Sequence, residues 1–279
     1  MNKVVLITGT SSGFGYFISL ELASKGYQVV STMRSLNNSQ QLKEEANKVG
    51  CKNNMDVVKM DVTIESDIRD VVQYIKENYG KIDILINNAG YCLGGISEFI
   101  TVKEWERQFA TNLFGVISVT NAFLPIMRKQ RSGKIINIGS ISGRIGLPGL
   151  SPYASSKFAL EGYSESLRLE LLPFNISVSI IEAGSYNTKI WEKAMKNIDT
   201  KVTHHDYSKY LSTLYKNAET TSKKASNPIE VINIVQKICR SKRPRLRYIV
   251  GNGVRLTIFL KSILPWSWIE YMIGRKLKN

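Results

Sequence analysis

Val4-Val5-Leu6-Ile7-Thr8 runs straight into Gly9-Thr10-Ser11-Ser12-Gly13-Phe14-Gly15, and a helical segment, Tyr16–Lys25, follows before Gly26. No other feature narrows the fold as far. A short apolar run that opens through glycines onto a helix is the first half of a parallel βαβ unit, since a strand buried on both faces reads as continuous apolar sequence. The alternation then continues. Gln28–Met33 reads as a second strand, and a third ends ahead of Asp61. Ile64–Tyr79 is an amphipathic helix with Ile68, Val71, Val72 and Ile75 at i, i+3, i+4 and i+7. Further strands are predicted at Ile82–Ile86, Lys134–Ile138, Ile176–Ile181 and Tyr248–Val250, with helices over Lys103–Met127, Tyr153–Leu172 and Ile229–Arg240. Such alternation implies right-handed crossovers and helices on both faces of one sheet, a doubly wound α/β fold.

A chain of 279 residues can bury one sizeable core. Residues 1–251 are expected to form a single domain. Between 185 and 228 the rhythm gives way to a polar, lysine-rich insertion, a candidate lid. Residues 252–279 form a basic, tryptophan-bearing extension. Cys51, Cys92 and Cys239 are odd in number and widely spaced, with no CxxC, which argues against a disulfide framework or a zinc site and for a reducing cytoplasm. The first apolar run is too short for a signal peptide, and no stretch approaches the eighteen apolar residues of a spanning helix, so the expectation is a soluble protein.

The net charge of +15 is unevenly placed. From Lys223 onward thirteen Lys and Arg face two acids, Glu230 and Glu270, so eleven of the fifteen positive charges lie there. Such an end can meet a membrane surface or an acidic partner. No recognition motif accompanies the charge, so a solvated basic surface is preferred to a nucleic-acid interface.

The glycines of the first turn are spaced G-x-x-x-G-x-G. Gly9, Gly13 and Gly15 permit a tight turn and let the backbone of Ser11, Ser12 and Phe14 approach a pyrophosphate on the helix N-terminus. The alternative is a plain tight βα loop. At the end of the second strand, where an acid would hold the ribose hydroxyls of NAD, the chain has Arg34. An arginine there can pair with a 2′-phosphate, with Ser11 or Ser12 adding a hydroxyl, which favours NADP(H) over NAD(H); otherwise it is a solvated loop residue. Asp61 and Val62 suit an adenine, as acceptor and apolar contact, although Asp61 equally fits a helix N-cap.

Tyr153 and Lys157, in Tyr-Ala-Ser-Ser-Lys, fall on one helical face a turn apart. A phenol has an ordinary pKa of about 10, and an adjacent ammonium is expected to lower it toward an acid–base range. Alone the pair is a weak signal. Its company is Thr8–Gly15, Asn87-Asn88-Ala89-Gly90, and Ser140 thirteen positions upstream.

Together these motifs resemble the short-chain dehydrogenase/reductase family, from Val4 to about Gly251. The resemblance implies a Rossmann-like doubly wound sheet of about seven strands and interconversion of an alcohol and a carbonyl. It assigns proton transfer to Tyr153, ribose contact and tuning of the tyrosine to Lys157, and the substrate-oxygen hydrogen bond to Ser140. Asn112 would bend its helix and hold a relay water. Asn88, Ala89 and Gly90 would line the cofactor, with Gly184 near the nicotinamide and Thr188 on its carboxamide. One departure is the missing proline of Glu182-Ala183-Gly184-Ser185, which puts loop rigidity in doubt.

Within the family, Arg34 and Thr10-Ser11-Ser12 look like the 17β-hydroxysteroid and retinol dehydrogenase subgroup, which implies a lipophilic carbonyl or alcohol. Leu147, Leu150, Trp191 and Met195 would furnish the pocket, each with an equal reading as core. His204 and His205 read as surface residues, and no metal site is expected. The tail Ile258–Ile269, broken by Pro265, either lies in a membrane interface or forms a helix over the pocket or a subunit contact. A homodimer through the helices of Asn112 and Tyr153 follows by analogy. The alternative to an enzyme is a redox-inactive NADP(H) sensor or scaffold, disfavoured by the complete catalytic set.

Overall fold

The chain's strands are β1 (Val4–Thr8), β2 (Gln28–Met33), β3 (Met55–Lys59), β4 (Ile84–Asn87), β5 (Gly133–Ile138), β6 (Ile176–Ala183) and β7 (Arg247–Val250). Its helices are α1 (Gly13–Ser24), α2 (Gln40–Lys48), α3 (Glu65–Tyr79), α4 (Val102–Phe109), α5 (Gly115–Gln130), α6 (Ser151–Glu170), α7 (Ile229–Arg240), α8 (Val254–Ile263) and α9 (Trp266–Lys278). The computed structural model describes residues 2–186, 207, 211–213, 216, 219–220 and 226–278.

All seven strands pair in parallel, in the order β3-β2-β1-β4-β5-β6-β7. The expected Rossmann-like sheet is therefore present. Its order reverses between β1 and β4, and a doubly wound sheet binds ligands outside the carboxyl ends of the strands at such a switch point.

The period of two along each strand divides the core. Val5 and Ile7 of β1 face Ile18 and Leu22 of α1 and Val231, Val235 and Ile238 of α7. Leu6, on the opposite face, packs with Ile68, Val71 and Ile75 of α3 and with Val119, Phe123 and Met127 of α5. Both faces are covered, which is why the strands read as unbroken apolar runs.

Three elements differ from the sequence reading. Helix α1 starts at Gly13 rather than Tyr16, because Ser12 is extended at φ −168° and the helix begins inside the glycine turn. Helix α2, too polar to have been singled out, buries only Leu42 and Ala46. The expected helix Lys103–Met127 is α4 and α5 joined by one π-helical turn, Ala110–Phe114. That continuous stretch, Val102–Gln130, is also apolar and long enough to span a membrane by composition, which corrects the expectation that none is. Its apolar stripe is spent on the core instead, through Val116, Val119, Phe123 and Met127.

Pro265 separates α8 from α9, as the break in the tail predicted. Val254 and Ile269 are their buried anchors. Lys261 of α8 points inward, donating to the Arg144 carbonyl and lying 5.1 Å from the Phe158 ring centroid. Outward the hairpin exposes Leu256, Phe259, Ile263, Trp266, Trp268 and Tyr271, each more than half accessible. A water-facing amphipathic helix would be arranged the other way round.

Candidate active site

The turn after β1 is stitched to the end of β4. Asn88 Nδ2 donates to the Thr8 carbonyl at 2.8 Å and the Gly9 carbonyl at 2.9 Å. Thr8 Oγ1 accepts the Asn88 and Ala89 amides at 3.0 and 2.9 Å. On the other side, the Thr10 amide and hydroxyl both donate to the Thr32 carbonyl. Gly9 has φ +71°, and a Cβ there would stand 2.7 Å from Ala89 Cα. At Gly15 a Cβ would meet the Gly9 carbonyl oxygen at 2.5 Å and collide with Asn88 Nδ2. Gly13 has φ +63°. Here Gly9 and Gly15 are required by the packing of the turn against the end of β4.

That cradle opens on the N-terminus of α1, whose first turn holds no acid. The partial positive charge of the helix end is left for an anion. Ser11 and Ser12 sit at its rim, and the Ser12 side chain makes no capping bond. Arg34 directly follows β2, is exposed, and makes no ion pair among the described residues. Its charge acts on the Tyr91 phenol, just past Gly90, in the sense that lowers it, against the larger effect of burial. Asp61 Oδ1 accepts the Thr63 amide and hydroxyl at 2.9 and 2.7 Å, an Asx turn. The N-cap of α3 is Ile64, so Asp61 is not that cap. Val62 is buried against Gly115, where a Cβ would lie 2.7 Å from it. These groups fit a dinucleotide on chemical grounds: a cradle without side chains, a helix N-terminus, a lone cation and a carboxylate.

Asn112 is fully buried in the π turn. Its Oδ1 accepts the Tyr91 amide at 3.1 Å, while Nδ2 donates to the Tyr91 carbonyl at 2.9 Å and to Ser156 Oγ at 3.2 Å. The predicted bend is thus a wide turn held by a side chain that bonds across it, a feature common at functional sites. Gln108, four residues earlier, clamps the same loop: its Oε1 accepts the Leu93 amide at 2.7 Å and its Nε2 donates to the Tyr91 carbonyl at 2.9 Å. The sequence reading passed over Gln108, although its i, i+4 spacing to Asn112 was the available signal.

Ser140 follows β5 and is buried beside the Tyr153 phenol, whose pKa it acts to lower, while its Oγ accepts the Ser142 amide at 3.1 Å. Lys157 Nζ donates to the Ile138 carbonyl at 2.8 Å and stands 5.8 Å from the Tyr153 ring centroid. Asn112, Ser140, Tyr153 and Lys157 are therefore gathered at the carboxyl ends of β4 and β5. Cys92 and Leu150 pack on Tyr153, and burial pushes the Cys92 thiol up to about 12.

The expected electrostatics need correction. Burial holds the Tyr153 phenol above its ordinary pKa, the Cys92 charge adds to this, and only the Ser140 hydrogen bond opposes it. Lys157 does not lower it. Its ammonium is spent on a carbonyl and is itself depressed to about 8 by burial, with Cys92 and Glu161 acting in the opposite sense.

Gly184 follows β6, but its want of a side chain is explained by α8, since a Cβ would lie 2.7 Å from Val254 Cγ2. Thr188, Trp191, Met195, His204 and His205 lie outside the described residues, as does most of the insertion 185–228. Leu147 borders a cavity of about 830 Å³ with Pro148, Ala154, Phe158, Lys261 and Trp266, between α6 and the C-terminal hairpin. Tyr153 is not among its walls.

A doubly wound sheet whose switch point carries a dinucleotide cradle, with Ser, Tyr and Lys converging beside it, defines a class of nucleotide-dependent oxidoreductase. The model of the short chain dehydrogenases matches residues 3–199. The chain belongs to that family, and it is an oxidoreductase acting on CH–OH groups. It is 41% identical over 281 residues to an uncharacterised oxidoreductase of Bacillus subtilis, YusZ, covering 99% of this chain and 98% of the relative. It is 37% identical to a 3-ketodihydrosphingosine reductase of Bacteroides thetaiotaomicron, covering 97% and 96%. Human 17-beta-hydroxysteroid dehydrogenase type 1 is 32% identical, covering 88% and 76%. A crystal structure of a short-chain dehydrogenase from Streptomyces avermitilis superposes with a TM-score of 0.81 at 27% identity, covering 99% and 98%.

Proposed function

We propose that the protein reduces the carbonyl of a lipophilic substrate with NADPH. What supports this direction is the reductase among the relatives, and what supports the site is the Tyr153 phenol buried beside Ser140. A neutral phenol is what a proton donor must be, and Ser140 lies within hydrogen-bond reach to hold the same substrate oxygen. NADPH, when bound, supplies the hydride. Gly9, Gly13 and Gly15 would admit its pyrophosphate to the α1 N-terminus with Ser11, Ser12 and Phe14, and Arg34 would pair with the 2′-phosphate. Asp61 and Val62 would receive the adenine, while Asn88, Ala89 and Gly90 line the ribose side. Lys157 would donate to the ribose, and Gly184 and Thr188 would border the nicotinamide. Asn112, through Tyr91 and Ser156, keeps the turn under this site in place.

Support for a lipophilic substrate comes from the relatives that reduce a sphingoid ketone or act on steroids, and from Leu150 beside Tyr153. The outward apolar face of α8–α9, in a region holding eleven net positive charges, favours peripheral contact with an anionic membrane where such substrates reside. A homodimer through α4–α6 is supported by the exposed Val102, Phe114 and Leu169. Steady-state oxidation of NADPH and NADH against long-chain ketones, steroids and retinoids, with Tyr153→Phe as control, tests the reading. Activity confined to small polar sugars, or a preference for NADH, would overturn it.

A further inference from the structure

Behind Lys157 lies a cluster of charge that the reaction as written does not use. Glu161 is one turn further along α6, and Glu182 sits at the end of β6, just ahead of Gly184; both are at least nine-tenths buried. Arg247 of β7 reaches both, its Nε lying 3.1 Å from Glu161 Oε2 and 3.3 Å from Glu182 Oε1. Arg144 Nη1 also takes Glu182 Oε1, at 2.9 Å, and Glu165 pairs with Arg247 Nη2 at the cluster's exposed edge. Two oxygens are left over. Glu161 Oε1 and Glu182 Oε2 are buried with no hydrogen-bond partner.

Two buried carboxylates with one unpartnered oxygen each are a costly arrangement if both are ionised. Three carboxylates face two guanidiniums and the Lys157 ammonium, so the charges balance only while that lysine, itself depressed by burial, holds its proton. A single proton on the pair would remove one buried negative charge and supply a donor where neither free oxygen has a partner. We propose that Glu161 and Glu182 share one proton across these two oxygens, and that the pair positions and tunes Lys157.

The coupling to Lys157 has a structural route. Glu161 is at i+4 from Lys157 on the same helix face, and its charge is among those that favour the ammonium. Gly143, in the turn that begins at Ser140, would place a Cβ 2.9 Å from the Lys157 carbonyl and 3.1 Å from Glu161 Cγ. The turn after Ser140 and the helix of Lys157 therefore pack closely against Glu161, while Glu182 lies on the strand leading to Gly184. Burial and the Glu182 charge raise Glu161 to about 7, with Arg247 and Arg144 opposing. The charged groups that face the pair are Lys157 and Glu165 from α6, Arg247 from β7 and Arg144 from the turn after β5; Cys92 acts on Lys157 from beyond. As pH rises through about 7 the pair loses its proton, and the second negative charge helps Lys157, at about 8, to stay protonated.

The role in tuning rests on the proposed catalytic reading, so the test has one arm independent of turnover. Infrared difference spectra of the full chain across pH 5 to 9 should show a protonated-carboxyl carbonyl band that titrates near neutrality and is missing from both Glu161→Gln and Glu182→Gln. Absence of that band in the wild type overturns the shared proton, whatever the variants do, and needs no variant to fold. In the second arm, the alkaline limb of kcat/KM for carbonyl reduction should move down by about one pH unit in Glu161→Gln, the low end of the effect of an opposite charge within about 4–6 Å. In Glu182→Gln it should hold or move up, because Glu161 then ionises more readily. A fall in kcat at every pH with both limbs unmoved would make the pair purely structural and overturn the tuning. A band without any turnover would instead sink the catalytic reading and leave the shared proton standing.

Discussion

Gly9→Ala separates what the cradle needs from what any left-handed glycine needs. Gly9 and Gly26 both have positive φ, +71° and +82°. An alanine at either site bears the left-handed penalty of roughly 1–2 kcal/mol. At Gly26 that is the whole cost, since a Cβ there has nothing within 4 Å. At Gly9 the Cβ would stand 2.7 Å from Ala89 Cα, a backbone atom that cannot swing away. Overpacking adds about 1–3 kcal/mol, for a total of about 2–5 kcal/mol. With ~2–4 °C in Tm per kcal/mol for chains approaching this size, Gly26→Ala should lose about 2–8 °C and Gly9→Ala about 4–20 °C. Differential scanning calorimetry reads the stability, and NADPH fluorescence titration reads the cradle. Affinity should fall at least tenfold for Gly9→Ala and stay unchanged for Gly26→Ala, as a shift of about 1.4 kcal/mol already makes a tenfold difference. Equal losses of Tm in the two variants, or unchanged NADPH affinity in Gly9→Ala, would refute the reasoning.

Arg34→Ser should weaken NADPH by ~10–100-fold, the worth of a charged hydrogen bond of about 1.5–3 kcal/mol, and leave NADH alone; equal losses for both by titration would remove the 2′-phosphate from Arg34. Asn112→Ala strips three buried hydrogen bonds from the Tyr91 loop and Ser156, and should cost about 2–4 kcal/mol in urea unfolding; a loss under 1 kcal/mol would show that the π turn does not depend on it. Lys157 has a folded pKa of about 8 against an ordinary 10.5, so between those values the unfolded chain holds a proton that the folded one does not. Stability carried by this lysine therefore rises with pH across that window, by about 3 kcal/mol in all. Subtracting the unfolding curve of Lys157→Met isolates it from tyrosines and thiols that act in the opposite sense, and a flat difference from pH 8 to 10.5 would contradict the burial argument.

Local sequence carried most of the fold because the central strands are buried on both faces and Gly9 and Gly15 of the first turn each answer a contact. Val5, Leu6 and Ile7 had to be apolar in succession, and Gly9 and Gly15 had to lack side chains. What stayed hidden was long-range pairing. Glu161, Glu182 and Arg247 are up to 86 positions apart, and no local pattern signals that two buried carboxylates will share one arginine. The inverted C-terminal hairpin was only half legible. Its mixture of tryptophans and cations was plain, but that Lys261 turns in while Phe259 and Ile263 turn out follows from where Val254 and Ile269 anchor it.

The acidity of Tyr153 shows why the order of magnitudes matters more than the presence of a partner. Spacing alone places an ammonium one turn away and suggests a lowered phenol. Lys157 Nζ does stand 5.8 Å from the ring centroid, yet it is not among the groups that set the acidity of the phenol. Full burial can raise a phenol by up to about 3–5 units, and here the same burial depresses Lys157 as well. Burial wins, so the tyrosine is a donor held in reserve. A raised pKa keeps Tyr153 protonated but also makes it a weak acid, so its proton passes to a carbonyl oxygen only as that oxygen gains charge on the arrival of hydride.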